Sequence, residues 1–284
     1  MSRREVLRHV YASDLISSVR KPPGWLINGF WANQSQGMIA GEPKTFKSFL
    51  SMDMAISIAS GTPFLGSHAV KQGTALIVQE ENDDEIMKDR LVKIMHAKGM
   101  VPERKIKEVG TNTFNIKFPT ELPLIFINRK GFLLDNEDHI KDVTDLIIHE
   151  NVKLLILDPF YTMFDGNIND IQSVNSVLRT LTRLNTDLKV SIMLVHHNHK
   201  QNTNAKFALR AGQRMLGSMG MHAWTASALY LSRVEEERNT IKIEKEFRAF
   251  SDSDTVKVNF SDGQSGSFQY ASSEVHSQAH LTFI

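Results

Sequence analysis

Cysteine is absent from the 284 residues. That excludes disulfide scaffolds, thiolate zinc sites and cysteine nucleophiles, and it suits a reducing cytoplasm. Long apolar runs are lacking too: nothing approaches the roughly 18 residues of a membrane span, so no membrane partner is expected. The N-terminal MSRREVLRHVYASDL mixes charges and has no apolar signal-peptide core. Excess charge of either sign is missing, with 33 Lys+Arg against 32 Asp+Glu, so any nucleic-acid contact must come from a local patch. Internal repeats and low-complexity tracts are not found. What remains is a globular intracellular chain, long enough to bury the core of a large α/β domain.

Strand and helix patterns alternate along that chain. Residues 1–20 are charged and helical in pattern, and Lys21-Pro22-Pro23-Gly24 punctuates the entry to the main body. Short apolar runs at 36–40, 74–78, 153–158 and 190–195 read as buried strands, with shorter ones at 113–117 and 124–127. Helical periodicity covers 47–60, stopped by Gly61, and 83–98, with Ile86, Leu91, Ile94 and Met95 on one face. Two more helices follow, 138–150 with Asn136 or Asp138 as cap, and one marked by Ile171, Val174, Leu178, Leu181 and Leu184. This alternation predicts an α/β fold with a mostly parallel sheet wound on both faces. Ligands in such folds sit at the carboxyl ends of the strands. After residue 226 the pattern turns to β and ends in an antiparallel hairpin, 255–260 with 267–270, turned at Asp262-Gly263; the tail from 271 reads as loose.

The first strand–helix junction carries chemistry. Gly41-Glu42-Pro43-Lys44-Thr45-Phe46-Lys47-Ser48, with Phe49 next, matches G-x-x-x-x-G-K-[ST] except that Phe46 replaces the second glycine. Backbone N–H groups of such a loop cradle phosphates at a helix N-terminus. Lys47 would reach the β- and γ-phosphates of ATP, and the Ser48 hydroxyl would ligate Mg²⁺. Phe46 must then point away from the nucleotide, and Lys44 adds a second charge that serves either phosphate or solvent. A lysine-rich turn before an ordinary helix would share this composition. Asp158 favours the nucleotide reading, because it ends a second buried strand where a metal-orienting carboxylate belongs.

Hydrolysis needs a group to deprotonate water. Glu80 and Glu81 follow the strand 74–78 directly and supply it, although acids also favour helix starts. His196 and His197 end the strand 190–195, where a polar side chain can sense a γ-phosphate. Neighbouring strand residues point to opposite faces, so one structural histidine and one sensor is the economical assignment. With His199 they make no zinc site, for want of a carboxylate at ligand spacing. The stretch 188–234 contains no Asp or Glu but holds Lys189, Lys200, Lys206, Arg210, Arg214 and Arg233. Its segment 200–214 lacks an apolar face and reads as a mobile loop suited to single-stranded nucleic acid.

The series GEPKTFKS, QEEN, LLILDPF and LVHHNHK resembles RecA-type ATPases. It is most similar to the RepA-type hexameric replicative helicases of plasmids and the related stand-alone ATPases of phages and mobile elements. The resemblance covers roughly 22–250, leaving 1–21 as an N-terminal segment and 251–284 as a C-terminal hairpin and tail. It implies a RecA-like P-loop core in a homo-oligomeric, usually hexameric, ring with ATP between subunits. It assigns the catalytic base to Glu81, counted back from Arg90-Leu91, and the coupling to a DNA-facing loop to His196 and His197. It also implies that Lys245 and Arg248 reach a neighbour's γ-phosphate. The expectation is a Mg²⁺-dependent ATPase moving on single-stranded DNA, a helicase of plasmid or phage replication loaded by an initiator or loader protein. A non-translocating, ATP-gated DNA-binding loader or recombination partner is the alternative, and a pure interaction module with a degenerate site is a third.

Overall fold

The computed structural model describes residues 10–17, 24–100, 104–107, 114–117, 121–166, 170–197, 219–234, 237–250, 254–261 and 267–274. A short helix, α1 (Ala12–Ser17), precedes the main body. A small hairpin, β1 (Trp25–Ile27) and β2 (Trp31–Ala32), comes next and was not legible from periodicity. The body is a nine-stranded sheet. Its parallel part comprises β3 (Gln36–Gly41), β4 (Thr74–Gln79), β7 (Leu124–Asn128), β8 (Val152–Asp158), β9 (Ser191–His197) and β10 (Ser227–Val234). Between β4 and β7 in sequence, β5 (Arg104–Lys107) and β6 (Phe114–Lys117) form a separate antiparallel ribbon, of which only the second strand was expected. The strands β11 (Glu237–Phe247), β12 (Thr255–Ser261) and β13 (Ser267–Glu274) continue the main sheet antiparallel. The spatial order is β13-β12-β11-β10-β3-β9-β8-β4-β7. The expected hairpin is therefore part of this sheet, and β13 runs on to Glu274, four residues into the tail expected to be loose from 271; the turn at Asp262-Gly263 lies outside the described residues.

Helices cover both faces. One face holds α2 (Lys47–Ser60) and α3 (Asp84–Ala97), the other α4 (Glu137–His149), α5 (Ile171–Leu188) and the short α6 (Met219–Trp224). Leu50, Met52, Met54, Ala55, Ile56 and Ile58 of α2 are all buried, as befits a helix that is apolar nearly all round. Gly61 ends it at φ +76°, a conformation that costs glycine little. Asp83 caps α3 by accepting the Ile86 N–H at 2.9 Å. On α3 the buried residue is Met87, with Ile94 and Met95, whereas Ile86 is 43% exposed. Met87 stands four residues before Leu91 and shares its face; Ile86 is rotated about 100° away. Asn136 and Asp170 cap α4 and α5 in the same way as Asp83.

Alternation along the strands divides the core. Ile39, Ala75, Ile77, Leu154, Ile156, Met193 and Val195 face α2 and α3. Their sequence neighbours Met38, Ala40, Leu76, Val78, Leu155, Leu157, Ile192 and Leu194 pack with α4 and α5. Continuing that period to the strand ends places Gln79, Asp158 and His197 on the α2 face and His196 on the other. No described helix is long and apolar enough to cross a membrane.

Candidate nucleotide site

The carboxyl ends of β3, β4, β8 and β9 surround a cavity of about 270 Å³ lined by residues 44–49, Glu81, Asn82, Arg90, Asp158, Val195 and His197. The loop from β3 to α2 forms one wall. Gly41 lies so close to β10 that an added Cβ would meet the Leu231 carbonyl oxygen at 2.5 Å, which explains the first glycine of the motif. Glu42 and Pro43 stand exposed at the crest. Thr45 is buried and its hydroxyl donates to the Glu42 carbonyl at 2.8 Å. Lys47 donates its ammonium to the carbonyls of Gly41 (2.9 Å) and Glu42 (2.8 Å).

Phe46 resolves the missing glycine by strain and packing. Its φ of +61° lies in the left-handed region, which costs a non-glycine residue on the order of 1 kcal/mol. Its ring turns onto Phe260 of β12 at 4.2 Å between centroids, and Phe49 meets the same ring edge-on at 5.0 Å. Each aromatic pair contributes roughly 0.5–1.5 kcal/mol, enough to offset that strain. The Phe49 ring carries the Arg90 guanidinium 5.0 Å above it.

The charges sit in a low-dielectric floor. Burial brings the Lys47 ammonium down to about 8, against the pull of Asp158, Glu81 and Glu42. Burial likewise pushes the Asp158 carboxyl up to about 6; a hydrogen bond from Ser48 opposes this, Glu81 adds to it, and Arg90 and Lys47 oppose it. Ser48 and Asp158 are adjacent hard-oxygen donors, the kind of pair that Mg²⁺ takes together with phosphate oxygens and water. Among the described residues no three His, Asp or Glu side chains cluster as a cage for a metal.

The paired candidates separate cleanly. Glu80 turns away from the cavity, and its carboxylate accepts the backbone N–H groups of Lys130 (3.1 Å), Gly131 (3.1 Å) and Phe132 (3.0 Å). Glu81 lines the cavity. His197 lines it too, with its basicity lowered by burial and by the Lys47 charge and raised by Glu81. His196 is 1% exposed and points into the opposite core near Phe160, 6.1 Å between ring centroids.

Two expectations at the far strands fare differently. Lys245 is buried, ion-paired to Asp254 at 2.7 Å and set 4.7 Å from the centre of the Phe30 ring. It is thus an internal residue, not one presented to a neighbour; the α2-facing period of β11 turns it inward with Ile241 and Ile243. Arg248 is exposed and donates to the Ala223 carbonyl. It follows Phe247, the partner of Ser227, which in turn pairs with Gly37. Arg248 therefore lies at the end of the sheet opposite its own phosphate loop. Lys200, Lys206, Arg210 and Arg214 lie outside the described residues. Arg90 and Arg233 had no assigned role at the site in the sequence. A lone arginine on a helix, or within a basic stretch, gives no periodic signal of its own.

A family model described as an AAA domain matches residues 2–203. The chain belongs to that AAA-domain family. Among solved structures, an isolated ATPase domain aligns with a TM-score of 0.61 at 13% identity, covering 84% of this chain and 86% of that one. A DnaB-like replicative helicase, solved for its interactions with primase, aligns with a TM-score of 0.63 at 13% identity. That alignment covers 90% of this chain and 66% of the helicase, so this chain spans just under two thirds of the helicase's length. No curated protein matches. At such identity the likeness establishes the fold, a RecA-like P-loop core. Family and fold together support an ATPase.

Proposed function

We propose that the chain is a ring-forming, ATP-dependent single-stranded-DNA translocase of the helicase type, acting in plasmid or phage replication like the RepA-type enzymes. The observation that carries the reading is the gathering of Lys47, Ser48, Glu81, Asp158 and His197 about one cavity while Glu80 is held away from it. Loop N–H groups and Lys47 bind the ATP phosphates. Ser48 and Asp158 hold Mg²⁺, which supplies neutralisation of the phosphate charge when bound. Glu81 takes a proton from the attacking water as the new oxygen–phosphorus bond forms and the bond from the γ-phosphorus to the β–γ bridging oxygen breaks. His197 senses the γ-phosphate. Arg248, remote from its own loop, serves a site on a second copy, which supports the ring. The basic residues Lys200, Lys206, Arg210 and Arg214 contact the DNA backbone, and a loader or initiator brings the ring to its strand.

One observation favours the slower alternative. Phe46 occupies the second glycine position in a left-handed conformation, and a loop so braced suits ATP-gated DNA binding with little turnover. Steady-state ATP hydrolysis with and without single-stranded DNA separates the two, followed by strand separation. The translocase reading expects a rate that rises several-fold with DNA and collapses in Glu81→Gln. A negligible rate with DNA present, alongside tight ATP binding, overturns it in favour of the loader.

A further inference from the structure

Two residues of the phosphate loop other than glycine hold positive φ, Lys44 at +64° and Phe46 at +61°. Such turns are ordinarily left to glycine, and each here is braced from outside the loop. Aromatic packing on Phe260 braces Phe46. Lys44 is braced by Arg233, whose guanidinium donates Nε (3.2 Å) and a terminal nitrogen (2.6 Å) to the Lys44 carbonyl. The geometry follows from the sheet. β10 pairs in parallel with β3, and Leu231 lies opposite Gly41, so Arg233, two residues on, overhangs the loop that begins there. The loop's own side-chain bonds, from Thr45 and Lys47, end on Gly41 and Glu42 and leave the Lys44 carbonyl to Arg233.

We propose that Arg233 is a positioning residue for nucleotide binding. By gripping the Lys44 carbonyl from two nitrogens it fixes the orientation of the Lys44–Thr45 peptide. The N–H groups that follow are thereby aimed at the phosphates before a nucleotide arrives. A charge-assisted, two-point grip specifies direction as well as strength. A glycine-poor loop thus obtains from a neighbouring strand the conformation that glycines would otherwise supply. The proposal rests on reading the cavity as a nucleotide site.

The test is a double-mutant cycle on the full chain, read as the Kd of a fluorescent ATP analogue. The proteins are the wild type, Arg233→Ala, Lys44→Gly and the double variant, with thermal melts confirming that each is folded. Arg233→Ala is expected to weaken binding about tenfold beside Lys44. In the Lys44→Gly background, where glycine adopts the turn unaided, the same change should cost less than about twofold. Arg233→Gln, with one donor group in place of the fork, should fall between. Equal losses in both backgrounds would overturn the proposal, since Arg233 would then act by its charge alone, and so would no loss in either. Failure of the wild type to bind the analogue would instead overturn the nucleotide reading beneath it.

Discussion

On the α2 face of the central sheet the strands end in Gln79, Asp158 and His197; on the opposite face the same strands end in Val78, Leu157 and His196. Both faces are apolar along their length. They diverge only at the carboxyl ends, and only on the side where α2 brings its N-terminus and phosphate loop. A two-residue period therefore splits chemically identical neighbours into different trades: His197 lines the cavity and His196 is buried in the core. The glutamates just past β4 divide in a similar way, Glu80 serving backbone N–H groups and Glu81 the cavity.

The largest break in that comparison comes from Lys47→Ala. Nucleotide affinity is expected to fall at least about 100-fold, because Lys47 is the one buried cationic side chain among the described residues lining the cavity. Equilibrium titration with an ATP analogue checks it, and unchanged binding would remove the cavity from consideration. A second variant probes the α2 face away from the cavity. Lys98 and Asp53 form a buried pair at 2.6 Å between α3 and α2. Lys98→Met strands a carboxylate whose pKa burial already raises, at a cost of about 3 kcal/mol in stability. Denaturant melts should register that loss while the KM for ATP stays within about twofold.

Exchanging the histidines sharpens the contrast between faces. His197→Ala should lower DNA-stimulated turnover about 10- to 100-fold with little change in melting temperature. His196→Ala should do the reverse, costing about 1–3 kcal/mol of stability through the cavity it leaves. Matching kinetic profiles for the two would count against the face assignment.

The effect confined to the narrowest range of conditions is a pH dependence. The Asp158 carboxyl in the folded chain, at about 6, lies above its ordinary value of 3.8. Between those values the folded chain keeps a proton that the unfolded chain has released, so this residue makes stability fall as pH rises from about 4 to 6. Asp158→Asn should accordingly stabilise the nucleotide-free protein at pH 7–8, by on the order of 2 kcal/mol. That gain should vanish below pH 4, while Mg²⁺-dependent turnover is lost at every pH. Melts of both proteins from pH 4 to 8 would reveal it, and a destabilised variant at pH 8 would contradict the burial argument.

Much of this plan is legible in the sequence because buried parallel strands write themselves as short apolar runs. Thr74–Gln79, Val152–Asp158 and Ser191–His197 each announce a strand and then a polar terminus. What does not show is determined by partners far along the chain. By resemblance Lys245 is expected to reach a neighbour's γ-phosphate, until Asp254 and the Phe30 ring are placed around it. Glu80 and Glu81 look equivalent until the backbone at 130–132 folds over one of them. Phe46 breaks the phosphate-loop pattern, and only Phe260, more than two hundred residues later, explains how that break is tolerated. The grip of Arg233 on Lys44 is of the same long-range kind.

The most direct measurement compares Glu80→Gln with Glu81→Gln in single-turnover ATP hydrolysis, with the protein in excess over ATP and single-stranded DNA saturating. The expected result is a fall of at least about 100-fold for Glu81→Gln and less than about threefold for Glu80→Gln, whose effect should appear instead as a lower melting temperature. Equal losses, or the larger loss in Glu80→Gln, would contradict the division of labour that the sheet imposes.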